Sequence, residues 1–317
     1  MTSDRARLEQ GPVSRFATYG IDPIGTAGHY DAFLLVEWPL PWARDIFDDL
    51  ALAEVQAAVD RAAASGTRWR VMALASDEEL PPDRARIIRY GRPADGFTVY
   101  ERAETSVPSG TLPRVCVDVI GGADVVDSGA SRDGETQDVL VCTHGRRDRR
   151  CGSMGLRLYE QLRGRYQGAQ VWRISHTGGH RFAPTGITFP EGVFWAHLDV
   201  PTMDGIVSRS ADVRNLGGHY RGNPAFETMC QPAEREGFIQ HGWDWLEHVK
   251  AGEIVGEHGE FHDVRVLHRS PDGEVGAYEA TVGVGRLVPT MHCDSACTDP
   301  DARSEELQVF RIAQTTP

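Results

Sequence analysis

Two short stretches hold the side chains best suited to chemistry. VCTHGRRDRRCG, residues 141–152, carries Cys142 and Cys151 with eight residues between them. WRISHTGGHRFAP, residues 172–184, carries His176 and His180 with three between them. Each stretch opens as a plausible strand and breaks into a loop. Two thiolates and two imidazoles match two kinds of metal. Zinc takes Cys2His2 sites readily, usually with closer cysteine spacing. A [2Fe–2S] cluster can take two cysteines on one iron and two histidines on the other. A third reading needs no metal: the cysteines are small core hydrophobes and the histidines satisfied surface groups. Spacing alone leaves all three open.

The elements around these residues must bring them together. The Thr-Gly-Gly between the histidines disfavours a helix, and consecutive glycines permit the left-handed angles of a tight loop that turns both imidazoles inward. The five charged residues RRDRR, 146–150, predict a solvated loop that leaves Cys151 near the surface. DVLVCTHG (138–145) and QVWRIS (170–175) read as strands, and residues 152–164 as a helix with Met154, Leu158 and Leu162 on one face. GITFPEGVFWAHLD, 186–199, reads as a hairpin about its Pro-Glu-Gly. Strand, helix, strand and hairpin is the order of a thioredoxin-like sheet. Neighbouring strand ends of a parallel sheet open on one edge, so both pairs could converge there.

Elsewhere the reading is coarser. Residues 1–21 lack periodicity and read as a mobile N-terminus. A second α/β unit, residues 22–113, is expected from strands at 30–39, 68–76, 85–91 and 97–103 and a helix at 52–66. TSVPSGTLP, 105–113, marks a boundary, and RVCVDVI, 114–120, reads as a further strand opening the thioredoxin-like domain of residues 114–205. An α+β extension follows over 206–317, with helical material near 223–250 and strands FHDVRVLHR and VGAYEATVG joined by the turn SPDGE. The fold class is therefore α/β, with a thioredoxin-like domain between these two parts.

Bulk properties narrow the function. A length of 317 residues suggests two domains at about 150 residues each. The net charge of −13 argues against broad binding of nucleic acid or anionic membrane. No apolar run reaches the ~18 residues of a membrane span, and no apolar segment follows the N-terminal arginines, so a cytoplasmic protein is expected. In that compartment six cysteines are better read as free, metal-bound or redox-active than as structural disulfides. No GxGxxG follows a strand and no GxxxxGK[ST] occurs, so nothing suggests a built-in nicotinamide or nucleotide site.

VCTHGRRDRRCG, VWRISHTGGHRFAP and GVFWAHLD together resemble the sucrase/ferredoxin-like family of thioredoxin-like ferredoxins. Upstream, DPIGTAGHYDAFLLVEWPLPWARD is similar to that family's N-terminal pattern, and the likeness spans most of residues 22–200. The resemblance implies a [2Fe–2S] cluster bound by Cys142, Cys151, His176 and His180, with the cysteines on an inner iron and the histidines on an outer one. Two ferric ions, two sulfides and two thiolates then sum to a neutral oxidised centre, whereas four thiolates would leave it doubly negative, so the potential should be raised. Proton-coupled electron transfer toward a redox partner protein or a small-molecule acceptor follows as the expected function. The rivals are a Cys2His2 zinc site that only staples loops, and a metal-free nucleophile at Cys142.

Several neighbours invite a role. His144 reads as a loop stabiliser or donor beside the ligands, Arg181 as a hydrogen-bond donor near the cluster or the partner of an acid, and the arginines of 146–150 as solvated surface or a dock for an acidic partner. His292, Cys293 and Cys297 in MHCDSACTD form the most serious rival metal or redox site. Cys116 and Cys230 read as core, and Trp243 and Trp245 as packing for a helix.

Overall fold

The structure is a computed structural model and describes residues 20–77, 80–93, 96–125, 137–289 and 303–315. Residues 1–19, and with them most of the expected mobile N-terminus, lie outside the described residues, as do His292, Cys293 and Cys297.

The chain is α/β, with one large mixed sheet and a second antiparallel one. The large sheet has nine strands in the order β4-β3-β1-β2-β6-β5-β7-β8-β9. These are β1 Ala32–Glu37, β2 Trp69–Ala75, β3 Arg84–Gly91, β4 Glu101–Pro108, β5 Gln137–Cys142, β6 Ala169–Ile174, β7 Gly186–Phe189, β8 Val193–Trp195 and β9 Tyr220–Gly222. Among the described residues five α-helices accompany them: α1 Ala53–Ala64, α2 Leu112–Ile120, α3 Leu156–Leu162, α4 Val200–Val207 and α5 Gln231–His241. The order β5-α3-β6-β7-β8 realises the thioredoxin-like arrangement, with β5 and β6 parallel and β7 antiparallel to β5. The second sheet orders β10 Val249–His258, β11 Phe261–Arg269, β12 Val275–Pro289 and β13 Arg303–Thr315. β11 coincides with FHDVRVLHR, while β10 and β13 have no counterpart in the sequence reading.

Alternation along β1 shows how the layers divide. Phe33 and Leu35 face a large core shared with β5–β9 and α5, whereas Leu34 and Val36 face a smaller core roofed by α1 and α2. The sequence RVCVDVI is therefore not a strand. It forms most of α2, because Leu112, Cys116, Val119 and Ile120 recur at i, i+4, i+7 and i+8 and bury one face. Residues 105–108 extend β4. The core cysteines behave as expected: burial pushes the thiols of Cys116 and Cys230 up to about 12. Trp245 is buried with its ring stacked on His241, and Trp243 donates to the Ala211 carbonyl, so both pack as expected.

The two halves of the large sheet meet along a short seam, where β2 and β6 pair only through Leu74 with Ile174 and Ala75 with Arg173. A buried carboxylate ties the halves together. Asp138 on β5 accepts from Trp172 Nε1 on β6 at 2.6 Å, from Arg102 Nε on β4 at 2.7 Å, and from the Tyr90 hydroxyl on β3. Removing it leaves the buried donors of Trp172 and Tyr90 without an acceptor and takes one of two carboxylates from Arg102, which keeps Glu104. Asp138→Ala should cost about 3–5 kcal/mol in urea unfolding, and Asp138→Asn, which keeps an acceptor oxygen, should cost less.

Candidate metal centre

Cys142 is the last residue of β5, and its register partner across the parallel pair is Ile174 at the end of β6. The two loops that follow these strands therefore leave the sheet side by side. Thr143 N donates to Ile174 O at 3.0 Å and Cys142 N to Thr185 O at 3.0 Å, so the first loop is anchored on both flanks.

That loop folds back sharply. Asp148 N donates to His144 O, Gly152 N donates to Asp148 O, and the Asp148 carboxylate accepts from the backbone of Arg150 at 2.9 Å and Cys151 at 3.3 Å. Glycine is required where the folded segments touch. A Cβ on Gly152 would lie 2.4 Å from Gly145 Cα, and one on Gly155 would lie 2.0 Å from Cys142 O. Cys151 is accordingly not at the surface: its relative exposure is 0% although four arginines precede it closely. The expectation from charge fails because the arginines occupy the outer arc of the loop, with Arg146 and Arg149 exposed, while Cys151 opens a π-helical turn, Cys151–Gly155, that points inward. That wider turn also shifts the helical phase, so Leu158 and Leu162 are buried but Met154 is exposed.

The second loop delivers the histidines. Gly178 and Gly179 both have left-handed backbone angles, φ +77° and +64°, and a short 3-10 turn, His180–Phe182, follows. The sulfur and nitrogen atoms of Cys142, Cys151 and His176 lie within 4.8 Å of one another, and Cys142 Sγ is 4.0 Å from His176 Nδ1. His180 stands beside this group, its ring centroid 6.0 Å from that of His176 and its plane tilted by 38°. Both cysteines are free thiols. Hydrogen bonding to Cys151 holds the Cys142 thiol well below its ordinary range against the opposing effect of burial, and His176 adds to the lowering. The two cysteines are wholly buried and the two histidines half-buried, so sulfur lies inside and imidazole outside.

Other expected neighbours fall into distinct places. His144 turns away from the thiols: its Nε2 donates to Ala43 O at 2.8 Å and its ring stands edge-on to Trp42, while its backbone N–H reaches Cys142 sulfur. Burial lowers its pKa, which keeps it neutral. Arg181 lies over the Phe182 ring and donates to Ser304 Oγ, linking the histidine loop to β13. Two arginines were not legible as site residues. Arg70 on β2 donates to His176 O at 2.6 Å, and Arg221 on β9 donates to Gly178 O at 3.3 Å. Neither belongs to a sequence motif with metal-ligand spacing, and both reach the loop only through sheet order.

A family model described as sucrase/ferredoxin-like matches residues 23–222. The chain belongs to the sucrase/ferredoxin-like family. The matched region ends with β9, so it takes in the nine-stranded sheet and leaves the antiparallel sheet of β10–β13 outside the family match. No curated protein and no solved structure matches the chain. Within the sucrase/ferredoxin-like region, the glycines of C-T-H-G and of the C-G pair are explained by the Gly145–Gly152 contact.

That contact can be tested. Gly152→Ala and Gly155→Ala force a Cβ against backbone and should destabilise the fold by about 1–3 kcal/mol, with faster labelling of the buried Cys142 and Cys151 by a thiol reagent in the native protein. Gly110→Ala, where a Cβ meets nothing within 4 Å, should leave both measurements unchanged.

Proposed function

We propose that this chain is an electron-transfer protein in which Cys142, Cys151, His176 and His180 hold a [2Fe–2S] cluster. The observation that carries the reading is the polarity of the donor set: two hydrogen-bonded thiols at 0% exposure face a half-buried imidazole pair on the adjoining loop. Soft thiolate and borderline imidazole suit iron in a sulfide cluster, and a set that extends past three close donors to a fourth ring suits a binuclear group. When bound, such a cluster would accept and release one electron at a time.

The protein's own residues do the rest. Burial of Cys142 and Cys151 keeps water from the sulfur side. His176 and His180 offer an edge toward solvent, where an imidazole nitrogen not used for iron can exchange a proton as the electron arrives. Electrons would come from a separate reductase, and the exposed Arg146 and Arg149 beside the site suit a partner with an acidic face. A small oxidised molecule is the other acceptor class that coupled electron and proton delivery suits.

Convergence of Cys142, Cys151 and His176 within 4.8 Å also favours a second reading, a single zinc ion that staples the two loops. A metal-free nucleophile at Cys142 finds less support, because an attacking sulfur must reach its substrate and this one is wholly buried.

Protein purified without oxygen should be coloured and hold about two irons and two sulfides per chain. A colourless protein with one tightly bound zinc would establish the staple instead. Cys142→Ser or Cys151→Ser should abolish most of the visible absorption, while Cys116→Ser should leave it intact. Reduction that takes up a proton becomes harder as protons grow scarce. The potential should therefore fall as pH rises, by up to about 59 mV per unit for one proton and one electron. Voltammetry from about pH 5 to 10 measures this slope, and a flat line with the cluster intact would exclude the coupling.

A further inference from the structure

Arg221 is the middle residue of the three-residue strand β9 and has a relative exposure of 0%. Moving a guanidinium out of water costs several kcal/mol unless an anion or a full set of acceptors offsets it. Its acceptors here are all neutral. Nε donates to Thr26 Oγ1 at 3.0 Å, Nη2 to Thr26 O, and Nη1 to Gly178 O at 3.3 Å, while Cζ lies 5.4 Å from the centre of the Phe194 ring. Among the described residues no carboxylate pairs with it. Buried arginines usually have such a partner.

What the cation serves follows from where its side chain is anchored. Arg181 and Arg70 lie near enough to disfavour it, yet it is held against the loop between His176 and His180 through Gly178 O at 3.3 Å. Burial pulls the Arg221 pKa down to about 10, which leaves it cationic at neutral pH. The side chain is also built into the histidine loop, since a Cβ on Gly179 would lie 2.6 Å from Arg221 Nη2. Thr26 comes from the Gly-Thr-Ala segment upstream, so one side chain joins that segment to the loop between His176 and His180.

We propose that Arg221 is the fixed counter-charge and positioning residue of the metal centre, holding the histidine loop through Gly178 and favouring the reduced, more negative state of the cluster. The proposal rests on the iron–sulfur reading above. A one-electron reductant adds one negative charge to the centre. A cation held in low dielectric stabilises that product and raises the potential, and it does so without moving, because its donors are already fixed on Thr26 and Gly178.

The test is the reduction potential of the purified holoprotein, measured by anaerobic dye-mediated titration with dithionite, in Arg221→Gln, Arg221→Met and Arg221→Lys. The two neutral variants should show at least a tenfold smaller equilibrium constant for reduction, a fall of about 59 mV for one electron, and Arg221→Lys should stay within threefold of wild type. Wild-type potentials in Gln and Met variants that retain the cluster would overturn the proposal. Loss of the visible spectrum in both neutral variants with its retention in Arg221→Lys assigns the charge to cluster binding itself and supports it. Loss in all three means packing, not charge, and overturns it. A wild type with no iron–sulfur absorption removes the cluster reading as well, a result distinct from an unchanged potential.

Discussion

Parallel pairing of β5 with β6, in the register that sets Cys142 opposite Ile174, is the constraint on which the rest of the site depends. A parallel neighbour leaves both chains at the same end of the sheet, so the cysteine loop and the histidine loop begin within hydrogen-bond reach of each other. A one-residue slip would turn Cys142 to the opposite face of the sheet and remove it from the site. The register is protected from both sides, by the apolar strands β5–β8 packed into the large core and by Asp138, whose acceptors reach three other strands.

Given that register, backbone contact rather than side-chain packing closes the cysteine loop. Gly145 against Gly152 and Gly155 against the Cys142 carbonyl are approaches that no other residue type allows. The loop can therefore be highly charged on its outer arc and still bury Cys151. Sulfur ends up in the interior and imidazole at the margin, which is the asymmetry the proposed function uses.

Electrostatics at the site run opposite to the chain as a whole. The net charge is −13, yet Arg70, Arg181 and Arg221 gather about the histidine loop, and two of them donate into its carbonyls. A local positive field beside buried sulfur is what the proposed one-electron reduction would draw on. No helix among the described residues is long and apolar enough to cross a membrane.

Features whose causes lie within a few residues were legible in the chain alone. Alternation placed β1, glycine pairs predicted the left-handed turn at Gly178 and Gly179, and the spacing of two cysteines and two histidines after strands marked the ligand candidates. Where a decision depended on distant partners, the same reading failed or was silent. RVCVDVI is equally apolar as strand or helix, and only the roof it forms over β1 with α1 made it helical. RRDRR looked like a reason for Cys151 to be exposed, because charge is visible in a sequence and a contact between Gly145 and Gly152 is not. Arg70 and Arg221 carried no signal at all, since their place beside the histidine loop follows from strand order across the sheet. Tertiary structure decided these points for one physical reason: burial and charge pairing are properties of neighbours in space, and the chain brings those neighbours from as far as residues 26 and 221.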